Sequence, residues 1–379
     1  MLVLLFWVAL VGSVFSYFIY PLLLLLLPAR KHPASAPSQT AEYLPSVSLI
    51  VTAHNEESRI REKIENCLKL DYPHLEILVA SDCSTDATDA IVEEYQQHAV
   101  LLARATERKG KEHAQLQAIR KATGDILVFS DVATAIPEDA IRKLVRYFAD
   151  PSVGSVSSED RFLSRDGGVV GEGAYVRYEM WLRGLESARA GLVGLSGSFF
   201  AARREVCEDH WDIYAPSDFN TALNTVRNGL VAVTAPDVLG FYQDVADSTR
   251  EYQRKVRTII RGLTALARHP EVLNPLRYGL FSFQVIGHKL MRWLAPWFQL
   301  LLLLVSFALA GQGAVYTLTL VAQLAFYGLV LAGHWMPSLR ESATVKIPYF
   351  FVQVNVATAQ ATVSFLSGRR MTVWTPSNR

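Results

Sequence analysis

The sequence predicts an α/β protein: a mostly parallel sheet with helices on both faces, joined to membrane-spanning helices near both ends of the chain. Two observations support this prediction. Strand and helix patterns alternate from residue 46 to about residue 150, which is typical of parallel strands connected by helices. Uncharged apolar stretches lie on either side of this region, and they approach the ~20 residues that cross a bilayer.

Composition narrows the range of functions. The chain has 379 residues, a formal net charge of +1 and 50% hydrophobic residues. A near-neutral charge argues against nucleic acid as a partner. The cysteines Cys67, Cys83 and Cys207 are far apart and form no C-x-x-C pair, so we expect reduced thiols and neither a disulfide framework nor a zinc site.

The N-terminal segment, residues 1–28, carries no charge and is long enough to span a bilayer. It lacks the basic start and the cleavage site of a signal peptide, so we expect a retained anchor. Because Arg30, Lys31 and His32 follow directly, the positive-inside rule predicts an external N-terminus and a cytoplasmic chain from residue 30. Residues 33–45, rich in Pro, Ser and Ala, are predicted to be a linker.

Two further spans are predicted at Leu294–Gly311 and Ala314–Gly333. Their short junction predicts a helical hairpin, with Lys289 and Arg292 marking its cytoplasmic side. A fourth apolar stretch, residues 347–368, contains two glutamines and an asparagine. Both a span and a tilted, protein-packed helix stay open for it.

These segments predict a multi-pass protein of the cell (plasma or inner) membrane with a cytoplasmic soluble domain. The predicted parts are an N-terminal transmembrane anchor (1–28), a linker (33–45), the soluble domain (46–270), an amphipathic interfacial segment (271–293), C-terminal transmembrane helices (294–366) and a tail (367–379).

Polar residues follow three of the predicted strands, at Thr52–Glu57, Ser81–Thr88 and Ser130–Thr134. The carboxyl ends of parallel strands share one edge of a sheet, and such sheets bind ligands at that edge. Each cluster taken alone could also cap the helix after it, because Asp and Ser are common N-caps, and this interpretation is preferred for Asp86.

From about Val47 to Arg261 the sequence resembles the family-2 glycosyltransferases. "VSLIVTAHNEE" resembles the nucleotide-binding first strand and loop of that family, and "RKGKEHAQ" resembles its G-K segment. "LVASDCSTDAT" resembles its D-G-S-T-D segment, with Cys83 in place of the glycine. The resemblance implies the GT-A fold, a Rossmann-like and mostly parallel sheet, and a UDP-sugar as donor.

The resemblance also implies roles for individual residues on the donor side. The donor-binding set is Thr52, Ala53, His54, Asn55 and Glu56 beside the base and ribose, Asp82 on the uracil, and Lys111 at the nucleotide or sugar.

"VFSDVAT" stands where the family carries the D-x-D motif, which binds a divalent cation on the sugar-nucleotide diphosphate. Asp131 matches the first acid, whereas Ala133 replaces the second. Mg²⁺ is commonly bound through one or two carboxylates, phosphate oxygens and water, so the resemblance still implies Mg²⁺ or Mn²⁺ on Asp131. Thr134 could add a hydroxyl or hold a water. The other interpretation makes Asp131 the cap of the next helix.

"GLSGSFFAARREV" and "APSDFNTALNTVRNG" resemble the acceptor side of the family. Asp218 stands in the acidic motif whose carboxylate acts as general base, and Ser217 replaces the acid before it. One carboxylate suffices for an inverting transfer. Ser217 and Asp218 could also form the N-cap of the following helix.

"STREYQRKVRTIIRGLTAL" carries Arg254, Arg257 and Arg261 on one helical face. Three cations on one face suit a diphosphate, and attraction to anionic lipid is the alternative. The family carries Q-x-x-R-W here. Arg254 replaces the glutamine, Arg257 matches the arginine and Thr258 replaces the tryptophan, which weakens the case for processive synthesis.

The sequence therefore predicts a membrane-bound, inverting hexosyltransferase that moves a sugar from UDP to a lipid or lipid-linked saccharide. Asp218 would deprotonate the acceptor, while a metal on Asp131, with Arg254 and Arg257, would neutralise the departing UDP. Membrane lipid is the other expected partner. The alternatives are a processive exopolysaccharide synthase and a catalytically inactive membrane protein that partners another, since two acids of the family are replaced.

Overall fold

A computed structural model describes residues 1–30, 43–163, 174–243 and 248–371. The chain divides into two compact units. As far as their residues are described, the sheet unit comprises Leu27–Ala246 and Thr264–Ser282, and the helical unit comprises Met1–Leu26, Asp247–Leu263 and Phe283–Arg370. Most of the predicted linker lies outside the described residues.

Within the described residues, seven strands form one sheet in the order β3-β2-β1-β4-β6-β5-β7. They are β1 (Val47–Ala53), β2 (Leu75–Ser81), β3 (Val100–Arg104), β4 (Ile126–Asp131), β5 (Val153–Leu163), β6 (Phe199–Arg203) and β7 (Val231–Gln243). β1 pairs in parallel with β2 and β4, β2 with β3, and β5 with β7. β6 runs antiparallel to its neighbours β4 and β5. The prediction of an α/β protein with a mostly parallel sheet is confirmed.

The helices of the described residues occupy both units. They are α1 (Leu2–Val14), α2 (Tyr20–Leu26), α3 (Ile60–Leu68), α4 (Thr88–Glu94), α5 (Lys111–Lys121), α6 (Ala140–Arg146), α7 (Ala174–Ser187), α8 (Arg204–Glu208), α9 (Ser217–Arg227), α10 (Ser248–Arg268), α11 (Pro275–Tyr278), α12 (Leu280–Val285), α13 (Met291–Ala308), α14 (Ala314–Trp335) and α15 (Ala343–Leu366).

Apolar cores lie on the two faces of the sheet because successive side chains of a strand point to opposite sides. Leu49 and Val51 of β1 belong to one core, together with Ile64 of α3. Ile50, between them, belongs to another core with Ala118 of α5. Each of these aliphatic side chains is fully buried or nearly so, and burial of one such side chain is typically favourable by about 1.5–3 kcal/mol for Val, Leu or Ile.

Three helices of the described residues are long and apolar enough to cross a membrane: Leu2–Leu26, Leu280–Ala308 and Ala314–Trp335. Spans near both ends of the chain were predicted. The second helix begins at Leu280 and not at Leu294, so it includes Lys289 and Arg292. α15 covers the predicted fourth stretch as far as Leu366, but it is less apolar than these three helices.

Inside the helical unit, glycines allow close contact between the first and second of these helices. A Cβ on Gly287 would overlap the ring of Tyr20, and a Cβ on Gly12 would lie 2.6 Å from the ring of Phe298. Phe6 meets Tyr316 edge to face, with 4.8 Å between the ring centroids. Small residues that allow helices to approach closely are typical of helix packing in membranes.

Candidate active site

The polar clusters predicted at the strand ends meet at one edge of the sheet. In the parallel register Thr52 lies opposite Asp131, and Ala53 lies opposite Ser81. α5 begins at Lys111, and its side chains contact Asp131 and Thr52 at the same edge. The structure thus brings together the predicted residues Thr52, Ala53, His54, Asn55, Glu56, Asp82, Lys111 and Asp131.

Asp131 is paired with Lys111. The Lys111 ammonium donates to Oδ1 of Asp131 at 2.5 Å and to the carbonyl of Gly197 at 3.0 Å, and Lys111 is only 8% exposed. The amide of Asp131 donates to the carbonyl of Ser198 at 3.0 Å. The interpretation of Asp131 as a helix cap is wrong, because the N-cap of α6 is Asp139.

Asp218 lies beside the turn at Gly197, because its carbonyl accepts from the amide of Leu195 at 3.3 Å. A Cβ on Gly197 would lie 3.6 Å from Oδ2 of Asp218. The N-cap of α9 is Pro216, so Ser217 and Asp218 lie inside the helix and do not cap it. Among the described residues, no side chain or amide donates a hydrogen bond to the half-exposed Asp218 carboxylate. Lys111, Asp131 and Asp218 thus converge on the same turn.

Asp82 is completely buried and fixes the loop that leads into α5. Its carboxylate accepts hydrogen bonds from the amides of Lys109 at 3.2 Å and Gly110 at 3.1 Å. Nδ1 of His54 lies 2.7 Å from the carbonyl oxygen of Asp82. These contacts hold Lys111 at the site, while a contact of Asp82 with uracil stays a prediction.

The loops after β1 and β2 are joined by side-chain hydrogen bonds. Asn55 donates through Nδ2 to Oγ1 of Thr85 at 3.2 Å and accepts from the Thr85 amide at 2.8 Å. Cys83 has a φ of +52°, a conformation that glycine adopts at least cost. This explains the glycine at that place in the family pattern. The N-cap of α4 is Ala87 and not Asp86 as predicted, but Asp86 accepts from the amide of Thr88, the first residue of α4, at 3.0 Å.

The remaining predicted donor-side residues are held by the protein itself. Oγ1 of Thr52 accepts from a glutamine of α5 at 3.1 Å, and the carbonyl of Ala53 accepts from the Asp82 amide at 3.0 Å. Glu56 pairs with Arg59 at 2.5 Å. Burial raises the pKa of Glu56, and the charge of Arg59 opposes this. Contacts of these residues with a base or ribose stay predictions.

Sequence reasoning missed Lys63, a buried cation behind the Asp131 loop. Its ammonium donates to Oγ of Ser130 at 2.8 Å and to the carbonyl of Thr134 at 2.5 Å. Burial lowers the pKa of Lys63. The available signal was its position on α3, on the same inward face as the buried Ile60.

Asp160 of β5 was missed as well. Its carboxylate accepts from the hydroxyls of Ser196 and Ser198, each at 2.7 Å. Burial raises the pKa of Asp160, and the serine hydrogen bonds oppose this. The available signal was an acid after a short run of serines, in "SVSSED", which is weaker than the apolar run before Asp131.

Arg254 and Arg257 lie on the part of α10 that belongs to the helical unit. Burial lowers the pKa of Arg257, and the neighbouring charges of Arg261 and Arg254 act in the same direction. Their role at a diphosphate stays a prediction.

A divalent cation fits the donor set at Asp131 only with help from a ligand. Oδ1 of Asp131 is paired with Lys111, and Oδ2 accepts no hydrogen bond from the described residues. Those residues contain no group of three His, Cys, Asp or Glu side chains that could hold a metal. Phosphate oxygens and water would have to complete the shell, which is how Mg²⁺ is often bound in phosphate-transfer sites.

The mostly parallel sheet with its polar strand edge has the GT-A fold. Residues 48–211 match glycosyl transferase family 2, and the sheet unit therefore contains a domain of that family. The predicted family and fold class are confirmed.

Curated relatives come from both lipid and polysaccharide synthesis. The chain is 35% identical to a beta-monoglucosyldiacylglycerol synthase of Synechocystis sp. over 118 residues, which is 30% of this chain and 25% of the relative. It is 24% identical to a poly-beta-1,6-N-acetyl-D-glucosamine synthase of Staphylococcus epidermidis over 216 residues, 55% of this chain and 50% of the relative. The chain thus spans half the length of these relatives or less.

Among solved structures, a mannosyltransferase from Pyrobaculum calidifontis, PcManGT, in complex with GDP-Man and Mn²⁺, is similar in fold. The TM-score is 0.69 at 24% sequence identity, and the match covers 96% of this chain and 99% of the other.

Proposed function

We propose that the chain is a membrane-bound, inverting glycosyltransferase that transfers a sugar from a UDP-sugar to a lipid or lipid-linked saccharide. The observation that carries this proposal is the convergence of Lys111, Asp131 and Asp218 on the turn at Gly197. Lys111 and Asp131 suit a diphosphate with its cation. Asp218 offers a carboxylate to an acceptor hydroxyl.

In the proposed reaction the acceptor oxygen bonds to the anomeric carbon while the bond from that carbon to the diphosphate oxygen breaks. The hydroxyl proton moves to Asp218, and UDP departs from the opposite face with the bonding electrons. Asp218 suits the base because no donor among the described residues has to be displaced from it. A positioned general base typically accelerates such a step by ~10²–10⁴-fold.

Lys111 and Asp131 are proposed to hold the diphosphate end of the donor. The Lys111 ammonium is fixed by Asp131 and Gly197 at the strand edge, where it can donate to a phosphate oxygen. Mg²⁺ or Mn²⁺ bound by Asp131 would offset the negative charge that develops on UDP. Arg254 and Arg257 are proposed to add positive charge, and this part of the proposal depends on the family resemblance.

The candidate spans favour a lipid or lipid-linked acceptor at the cytoplasmic face of a cell membrane. The relative named beta-monoglucosyldiacylglycerol synthase supports the same class of acceptor. Processive polysaccharide synthesis is the second candidate, because the match to the poly-beta-1,6-N-acetyl-D-glucosamine synthase extends over 55% of this chain. Thr258, in place of the tryptophan of processive relatives, argues against it.

The test is to incubate membranes containing the protein with labelled UDP-glucose, UDP-galactose, UDP-N-acetylglucosamine and GDP-mannose separately. Lipid extracts are analysed by mass spectrometry, and released nucleoside diphosphate is measured. We expect one UDP-sugar to give a lipid carrying added sugar. A ladder of polymer would favour the processive candidate, and no release of diphosphate from any donor would overturn the proposed activity.

Asp218→Asn tests the proposed base. We expect loss of product by about 10²-fold or more, with donor binding nearly unchanged, because the base acts on the acceptor. Asp209→Asn, at an exposed acid just after α8, is the matched control and should keep full activity. A fully active Asp218→Asn variant would remove Asp218 from the mechanism.

A further inference from the structure

The sheet unit contains a polar cavity of about 540 Å³ near the end of α10. Its lining comes from α9, the end of α10, the segment through α11 and the residues that follow α8. It carries three arginines, two histidines, two carboxylates and two aromatic side chains. None of these residues belongs to the candidate active site.

Both carboxylates of the cavity are already matched by cations. Oδ2 of Asp212 accepts from Nε of Arg268 at 2.5 Å and lies 3.0 Å from Nε2 of His269. Glu271 pairs with Arg227. These pairs hold Arg268 and Arg227 in fixed positions, and three arginines against two carboxylates leave an excess of positive charge.

Several donors of the cavity are not used by the protein. Within the described residues, the Arg277 guanidinium makes no hydrogen bond or ion pair and lies over the Tyr278 ring, 5.2 Å from its centroid. In the same part of the chain, the Tyr278 hydroxyl is buried without a hydrogen-bond partner. Arg268 uses Nε for Asp212, which leaves both of its terminal nitrogens available. Arg277 and Arg268 are exposed and can turn towards a ligand, whereas the buried Tyr278 hydroxyl would normally have a partner. An unpartnered buried hydroxyl beside this excess of positive charge indicates an anionic ligand.

The position of the cavity in the chain indicates where that ligand comes from. Leu276 is 96% exposed, and a helix apolar enough to cross a membrane begins at Leu280, just after Tyr278. Tyrosine next to a membrane span is typical of the bilayer interface. Arginine at that level attracts anionic headgroups.

We propose that this cavity binds the phosphate group of an anionic membrane lipid. Arg277, the terminal nitrogens of Arg268 and the Tyr278 hydroxyl donate to the phosphate oxygens, and Leu276 contacts the acyl chains. The planar guanidinium matches phosphate well because it donates two parallel hydrogen bonds. This binding does not depend on sugar transfer.

The experiment uses the purified full chain in detergent and measures its melting temperature during titration with dioctanoyl phosphatidic acid. Parallel titrations use dioctanoylglycerol, which lacks the phosphate, and inorganic phosphate, which lacks the acyl chains. Phosphatidic acid should raise the melting temperature with concentration, because a ligand of the native state stabilises it. Dioctanoylglycerol should not, and inorganic phosphate should bind far more weakly.

Arg277→Gln combined with Tyr278→Phe should weaken phosphatidic acid binding by roughly tenfold or more, since charge-assisted donors are removed. Arg146→Gln, at an exposed arginine of α6, should bind like the unaltered protein. The double variant should also melt normally without lipid, because neither altered polar group bonds to another described residue.

Three results would overturn the proposal. Unchanged binding by the double variant would exclude this cavity. Inorganic phosphate binding as tightly as phosphatidic acid would exclude a lipid as the occupant. An equal response to dioctanoylglycerol would exclude phosphate recognition. None of these titrations contains a sugar nucleotide, so their outcome is independent of the proposed transferase activity.

Discussion

Asp131 matches the first acid of the family-2 metal motif, whereas Ala133 stands in place of the second acid. One carboxylate oxygen of Asp131 is paired with Lys111. Ala133 is half-exposed like Asp131, whereas Val132 and Thr134 are buried. An acid at position 133 would therefore lie on the same open side of the loop as Asp131.

Ala133→Asp should raise the affinity of the nucleotide-free protein for Mn²⁺ by roughly tenfold or more, because a second negative charge is added close to the cation. Electron paramagnetic resonance of free Mn²⁺ measures this affinity directly. Ala133→Asn, which adds similar bulk without charge, is the control and should change it little.

Metal binding by the unaltered protein should also depend on nucleotide. Adding UDP should strengthen Mn²⁺ binding, because phosphate oxygens complete a shell to which the protein contributes one carboxylate. Chelation should then stop turnover. An Mn²⁺ affinity that does not change when UDP is added, or turnover that continues in EDTA, would contradict this role of Asp131.

How far the site could be predicted depends on the range of the contacts. Asp131 and Asp82 follow apolar strands directly, so local sequence is enough to find them. Lys63 and Asp160 could be found only from contacts between residues far apart in the sequence. Lys63 of α3 contacts Ser130 of β4, and Asp160 contacts the turn before the antiparallel β6. A period-2 pattern does not reveal the direction of a strand, so it could not identify β6 as antiparallel.

Among the elements, α10 is the helix whose ligand the sequence left open. Its basic residues were predicted to bind either a diphosphate or anionic lipid. Within the helical unit, the Tyr252 hydroxyl donates to Gln360 of α15 at 2.6 Å. The Lys255 ammonium lies 5.0 Å from the ring centroid of Phe350 on the same helix. Arg257 of α10 is half-buried.

Arg257→Ala should weaken UDP binding and slow transfer, because it removes the guanidinium that we propose lies near the diphosphate. Lys255→Ala removes the same charge from the same helix and should leave UDP affinity unchanged, since Lys255 packs on Phe350. Calorimetric titration with UDP compares the two variants. Equally small losses in both would favour attraction of α10 to anionic lipid.

Element boundaries were harder to predict than the existence of the elements. The helix that starts at Leu280 runs through Lys289 and Arg292 to Ala308. Charge marked these two residues as lying outside the bilayer, but backbone hydrogen bonding continues through them. Hydropathy reports where a helix can enter lipid, and it does not report where the helix begins.

For the whole molecule, the number of membrane crossings decides on which side the C-terminus lies. The three helices that are long and apolar enough to cross would carry the chain out of the cytoplasm and back, given an external N-terminus. α15 is the element that determines the outcome. A crossing by α15 would move Arg369 and Arg370 outside, against the positive-inside rule.

We predict that α15 does not cross the bilayer. It carries Gln353, Asn355 and Gln360 and is less apolar than the three candidate spans, and polar side chains are costly to place in hydrocarbon. The chain should therefore cross three times and return its C-terminus to the cytoplasm.

Single-cysteine variants test this topology with a membrane-impermeant maleimide on intact cells. Cys67 and Cys207 are buried, so Cys83→Ser provides an unreactive background. Gln312→Cys, in the exposed connection between α13 and α14, should react in intact cells because it lies outside. Ser367→Cys, at the end of α15, should react only after the membrane is permeabilised. Labelling of Ser367→Cys in intact cells would mean that α15 crosses the bilayer.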